Sequence, residues 1–225
     1  MWRFLVVTTL LFGLRPASAA ALELPPPRSG LPKVIVGMVE GAIQAGTYDR
    51  PLCPRREACL LDVGGAVGVR LEWRFPSLVS TGLGLDYGFF DADGLYEVGT
   101  LATLRWTTRA LFMPLVRYHP LVDVGIGPAL FGGNFSVDTV GAVLDLRGGV
   151  EIEITSTMAV DLALGARLLG VAPFTASNDD VERGRPFGPS VILGAHLALV
   201  LLPKPLRPRP PRYHPDQRDR GRPLR

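Results

Sequence analysis

The stretch Val143-Leu-Asp-Leu-Arg-Gly-Gly-Val-Glu-Ile-Glu-Ile154 decides the fold. Taken two residues at a time, Val143, Asp145, Arg147, Gly149, Glu151 and Glu153 fall on one side. Leu144, Leu146, Gly148, Val150, Ile152 and Ile154 fall on the other. Successive side chains of an extended strand point to opposite faces, so this is a strand with one apolar face and one charged or small face. A helix would scatter the same residues around its circumference.

The alternation extends in both directions along the chain. Upstream, Val67, Val69, Leu71, Trp73 and Phe75 oppose Gly68, Arg70, Glu72 and Arg74. Leu83, Leu85, Tyr87 and Phe89 oppose Gly82, Gly84, Asp86 and Gly88, and Val122, Val124 and Ile126 oppose Asp123, Gly125 and Gly127. Downstream, Met158, Val160, Leu162, Leu164 and Leu168 oppose Asp161, Gly165 and Arg167, and a last strand runs from Ser190 to Leu201 around His196. Val34 to Ala42 is a first strand with the poorest alternation of the set. Residues 97–118 keep one parity throughout, with Arg105, Arg109 and Arg117 sharing a face; they read as one long strand or as a strand and a long apolar turn, and are counted as a single strand. Dividing them would give nine strands, whereas single-chain bacterial barrels have even numbers. The expectation is an all-β fold: an eight-stranded antiparallel up-and-down barrel over residues 33–203, with short turns and long loops alternating. Residues 176–187 read as one of the long polar loops.

Period two alone does not say which face points inward. A soluble calycin-like barrel turns its apolar face in, around a small apolar ligand. A membrane barrel turns it out, toward lipid. The glycines lie mostly on the charged face, where a close-packed interior needs small side chains. The charges there are of both signs, as a dry interior requires for pairing. They form a candidate lumen network of Arg70, Glu72, Arg74, Asp86, Asp123, Asp145, Arg147, Glu151, Glu153, Asp161 and Arg167, with His196 on the same face. Trp73 and Phe75 sit beside one turn and Tyr87 and Phe89 at the opposite end, the placing of two interfacial girdles. Strands of about 9–11 residues have the length a tilted spanning strand needs. On this reading a charge on the Leu146 face is costly, and a polar residue at Val143 is mild.

With the strand start Tyr118-His-Pro…Val122-Asp-Val-Gly-Ile-Gly127, this pattern resembles the small eight-stranded outer-membrane barrel superfamily, the OmpA transmembrane domain and OmpX among them. The resemblance covers about residues 33–203 and lies at the level of the fold. It implies a bacterial outer-membrane location with both chain ends periplasmic, surrounding outer-membrane lipid, and the barrel-assembly machinery as a partner. The chain departs from the family at Leu201-Leu202-Pro203, where these barrels usually carry a terminal aromatic residue.

The two ends differ from the body. Residues 1–19 have the form of a secretory signal: Arg3, an apolar run from Phe4 to Leu14, then Ala17-Ser18-Ala19. Residues 20–32, with Pro25-Pro26-Pro27, read as an extended lead-in. Residues 204–225 form a Pro/Arg-rich tail, with Lys204 and seven arginines against Asp216 and Asp219, a net +6. Arg3 and Arg15 add +2, so the overall +3 leaves −5 for the residues between. Such a tail cannot bury enough apolar surface to fold alone. Its charge suits anionic lipid or the cell wall as a partner. Export argues against nucleic acid.

Cys53 and Cys59 are the only cysteines; in an exported loop this spacing suits a local disulfide and, with no CxxC and no nearby His, argues against zinc. The chain has no GxSxG, phosphate loop or dinucleotide glycine pattern, and its three histidines lack a triad arrangement. His119 lies in a Tyr-His-Pro turn and His214 in the tail. No cofactor, metal or catalytic residue is expected. The function read from the sequence is an outer-membrane barrel with a side-chain-filled lumen and a structural or surface-interaction role. The alternatives are the soluble ligand-binding barrel and, behind it, an outer-membrane lipid-modifying enzyme.

Overall fold

In a computed structural model the described residues are 34–47, 51–54, 57–75, 77–112, 117–155, 157–176, 181–185 and 187–202. The expected signal, lead-in and tail lie outside them. The strands are β1 (Val34–Gly46), β2 (Val63–Arg74), β3 (Val79–Phe90), β4 (Gly99–Leu111), β5 (Tyr118–Gly133), β6 (Thr139–Thr155), β7 (Met158–Val171), β8 (Phe174–Thr175), β9 (Glu182–Arg183) and β10 (Ser190–Leu201). Eight of them close a barrel in the order β1-β10-β7-β6-β5-β4-β3-β2, and β8 and β9 form a separate small hairpin. Every barrel pairing is antiparallel, so each strand hydrogen-bonds on both edges and none is left open.

Connections at one end are short, at β2–β3, β4–β5 and β6–β7, and β1 begins and β10 ends there; we call this the turn end. The connections β1–β2, β3–β4, β5–β6 and β7–β10 lie at the other, the loop end. Leu78 turns the β2–β3 connection at φ 60°, its amide donating to the Phe75 carbonyl at 3.0 Å.

Of the two readings of residues 97–118, the strand followed by a turn is the one observed. β4 stops at Leu111, and β5 begins at Tyr118 with Tyr118 opposite Ile152. Phe112 caps the join, its amide donating to the Pro120 carbonyl at 2.9 Å. Parity survives across the break, so the alternation concealed it. β1 is longer than expected and runs to Gly46, because its glycines and alanines offer little contrast in the sequence yet pair in full register with β2 and β10. The polar loop expected over 176–187 is in part the β8–β9 hairpin.

The orientation of the faces is inside-out relative to a soluble protein. Val39, Val69, Leu85, Leu104, Ile126, Leu146, Leu164 and Leu197 stand on the outer wall, and Arg, Asp and Glu side chains fill the interior. Apolar side chains project outward from all eight strands. Soluble monomers rarely expose continuous apolar patches beyond a few hundred Å².

Candidate functional site

Among the described residues titratable side chains gather in the lumen, and the pleat explains why they do. Each barrel strand sends every second residue inward, and on the middle of each strand those residues are polar. The interior carries the carboxylates of Glu40, Glu72, Asp86, Asp123, Asp145, Glu151, Glu153 and Asp161 among Arg70, Arg74, Arg105, Arg109, Arg147 and Arg167. His119 and His196 complete the set. None is more than 8% exposed, so charges here must pair or be strongly unfavourable.

They pair across the barrel as well as around its wall. Toward the loop end, Arg147 donates to both oxygens of Glu40 at 2.9 and 3.1 Å and to Asp145 at 2.7 Å. Arg105 bonds Asp86 and Asp145, and Arg167 reaches the same two carboxylates at 3.4 and 3.3 Å. Arg70 ties this layer to the next, through Glu40 at 2.8 Å and Asp123. Nearer the turn end, Arg74 makes a forked contact to Glu151 at 3.0 and 2.8 Å, and Arg109 bonds Asp161. Glu72 accepts from the Ser80 hydroxyl at 2.6 Å and lies 3.7 Å from Arg70. Last comes His119, with its Nε2 at 2.9 Å from Glu153. Forked guanidinium–carboxylate contacts are strong and directional, and here they tie β2 to β6 and β1 to β6 across the lumen.

Glycine makes room for this. A Cβ on Gly68 would overlap an oxygen of Asp86 and lie 3.2 Å from the Glu40 side chain. The interior thus needs small residues beside its large charged ones.

All twelve residues of the expected network lie inside the barrel. Glu40, Arg105, Arg109 and His119 belong with them and were missed. Glu40 sits on the strand with the weakest alternation. Arg105 and Arg109 had the right parity but lay in the segment whose ends were misplaced. His119 is no turn residue but the first inward side chain of β5 after Tyr118. His196 points its Nε2 toward Gly165 and Gly194.

The lumen is not charged along its whole length, which corrects the expectation for Val143. At the loop end, Leu101, Phe131, Val143, Leu169, Val171 and Ile192 line the wall, and Leu52, Leu60 and Leu61 of the β1–β2 loop pack among them with no exposure. The Cys53–Cys59 disulfide lies inside this cluster and staples the plug. Beside it, the Tyr96 hydroxyl donates to Asp138; burial, then this hydrogen bond and the Asp138 charge, raise the phenol above its ordinary range. At the turn end Val36, Met38, Ala159, Val200 and Leu202 form one apolar cluster and Leu78, Leu111 and Leu121 another. The apolar plug covers the charged layers at the loop end, whereas at the turn end the apolar clusters lie beside the Arg74–Glu151 and His119–Glu153 pairs. Between Glu40, Arg109, Asp123, Arg147, Asp161 and His196 a void of 10 Å³ remains, no more than a single water needs.

Replacing both cysteines with alanine should therefore loosen the plug without opening the ladder. The closed loop is short, so the loss is about 2 kcal/mol by chain entropy. Chemical denaturation should show a lower midpoint for the double variant, and an unchanged midpoint would mean the leucines hold the loop unaided.

An eight-stranded antiparallel barrel with an apolar wall and a side-chain-filled polar lumen defines the class: it is the architecture of the small outer-membrane barrels. No family model and no curated protein matches the sequence. Among solved structures the chain is similar to Neisserial surface protein A (NspA), at 10% identity over 74% of this chain and 96% of that one, with a TM-score of 0.53. It is also similar to the outer membrane protein OprG from Pseudomonas aeruginosa, at 10% identity over 77% and 98%, TM-score 0.48. A further likeness is to the outer membrane enzyme PagL, at 12% identity over 73% and 98%, TM-score 0.39. Of these three, NspA alone is close enough to carry an argument, and at that identity it carries the fold.

Proposed function

We propose that the protein is an integral protein of the bacterial outer membrane with a closed lumen and a structural or surface-interaction role. The reading rests on one observation: all eight strands present apolar side chains on the outer wall, while buried ion pairs fill the middle of the interior. Lipid is the environment in which that wall is stable. On this reading both chain ends are periplasmic and the four loop-end connections face outside. Tyr87, Phe89 and Phe135 at the loop end and Trp73, Phe75, Phe112 and Tyr118 at the turn end stand where two interfacial belts belong.

The role follows from what the interior leaves out. A lumen packed with ion pairs fits neither a general porin nor the apolar ligand chamber of a calycin-like barrel. We take the protein to be no enzyme: its buried carboxylates are engaged in ion pairs and in hydrogen bonds from Ser80, Thr103 and Thr107, the packing of a filled interior. Its partners are then surrounding lipid and the barrel-assembly machinery. The basic residues 204–225 would meet anionic lipid or cell-wall carboxylates in the periplasm through charge.

Conductance tests the closed lumen. Purified protein in planar bilayers should give no steady ohmic current at neutral pH, and vesicles carrying it should not swell in small sugars. Reproducible open steps, surviving repurification, would overturn the reading.

A further inference from the structure

The Cys53–Cys59 bond is out of reach in the closed barrel. Its cysteines are 1% and 0% exposed, in a mouth walled by Phe131, Val143, Leu169 and Ile192. Thiol–disulfide exchange needs a third sulfur to approach one of the pair, so it stops where access stops. Burial therefore bars the bond from being made there as firmly as from being broken.

The cover comes from later in the chain. Phe131 belongs to β5, Val143 to β6, Leu169 to β7 and Ile192 to β10, the last barrel strand. The same later elements hold the β1–β2 loop in place. The Cys59 amide donates to Asp93 at 2.9 Å, and the Leu52 amide to the Ser190 hydroxyl at 3.2 Å. This cover is complete only when β10 has paired with β1 and the barrel has closed. The bond itself needs none of it. Its cysteines are six residues apart, so the loop closes at little entropic cost in an unfolded chain. The bond also sets Leu52 beside Leu60, whose amide donates to the Leu52 carbonyl at 2.9 Å.

We propose that Cys53 and Cys59 are oxidised in the unfolded chain, before the barrel closes, by a thiol–disulfide oxidase of the periplasm. The compartment rests on the membrane reading above, which turns the loop end away from the periplasm; the order rests on burial alone. One thiolate of the pair attacks the oxidase disulfide and expels one of its sulfurs as a thiolate. The second thiolate attacks the mixed disulfide, which yields Cys53–Cys59 and the dithiol form of the oxidase. Both electrons pass to the oxidase, and the two protons lost by the cysteines balance the two its sulfurs gain. The stapled loop then enters the mouth as a preformed plug.

Access is measured on the purified mature protein in mild detergent, with dithiothreitol as reductant and a polyethylene-glycol maleimide to count free thiols on gels. Reduction should be about a hundredfold slower in the folded protein than in the same protein in urea, the protection that opening of a packed region confers. Equal rates would overturn the order, because a bond freely broken in the barrel can also be freely made there. The order is followed in cells by pulse-labelling, with thiols trapped at intervals through the chase. Heat-modifiable protein should carry no free thiol from its first appearance, and free thiols should be confined to the unfolded form. Heat-modifiable protein whose thiols disappear later in the chase would overturn the proposal. In cells lacking the periplasmic oxidase, oxidation should slow severalfold, and an unchanged rate would overturn the enzyme as donor. A chain that never becomes heat-modifiable would count against the membrane reading instead, with the reductant comparison still deciding the order.

Discussion

Leu146→Arg should cost about 2–4 kcal/mol when the barrel is unfolded from lipid vesicles, the penalty of a cation near the middle of an outward-facing strand. Leu146 lies near the midpoint of β6, 56% exposed, between Val124 of β5 and Ala166 of β7. Its outward neighbours are apolar and supply no carboxylate to meet the guanidinium. Snorkelling could bring the charge toward one interface only by laying the side chain along the wall, which is why the penalty stays well below that of a buried bare charge. Equilibrium unfolding in urea, followed by tryptophan fluorescence, measures the loss. A change under about 0.5 kcal/mol, typical of solvated surface sites, would place that face in water.

The second large effect belongs to the adjacent residue on the opposite face. Arg147→Leu should cost about 3–5 kcal/mol, because it leaves carboxylates buried without their cation. Arg147 is 4% exposed and serves Glu40 across the lumen and Asp145 along its own strand. Arg70 and Arg105 remain near Glu40, and Arg105 and Arg167 near Asp145, but neither carboxylate keeps the Arg147 contact. A double variant that also changes Glu40 to Gln should recover part of the loss, since the unpaired charge goes with it. If the single and double variants were equally unstable, packing and not charge would be the reason. The contrast between residues 146 and 147 is the sharper observation: one site refuses a cation and its neighbour needs one.

These two sites also show how far the sequence can be read. On β2, β3, β5, β6, β7 and β10 the alternation is clear enough to place each side chain on the correct wall. Which wall is inside came from glycine placement and mixed charge. Glu40 was out of reach because Gly37, Gly41, Ala42 and Ala45 blur the period around it. The end of β4 was hidden because Arg109 and Arg117 keep the same parity on either side of the connection, and no glycine or asparagine marks the turn.

The apolar plugs were beyond such a reading for a different reason. Period two describes strands, whereas Leu52, Leu60 and Leu61 reach the lumen by a loop folding back into the barrel mouth. That is tertiary packing, with no local signature. Val143 shows the consequence. Alternation alone makes Val143→Thr a mild change in a polar lumen, yet Val143 lies in the loop-end cluster at 1% exposure. A hydroxyl there, without a partner, costs about 1–3 kcal/mol. The pairing of particular charges was equally invisible, because contacts such as Arg147–Glu40 span 107 residues and depend on the closure of the barrel.

The central claim is that the apolar wall faces lipid and the closed ladder holds it there. It is tested most directly by membrane fractionation combined with gel mobility. Membranes from cells making the mature protein should retain it through an alkaline carbonate wash and release it in detergent. The detergent-solubilised protein should then run at different positions in SDS gels with and without boiling, because a closed barrel resists SDS until heated. Recovery of the protein in the soluble periplasmic fraction without detergent, with one mobility boiled or unboiled, would contradict the account.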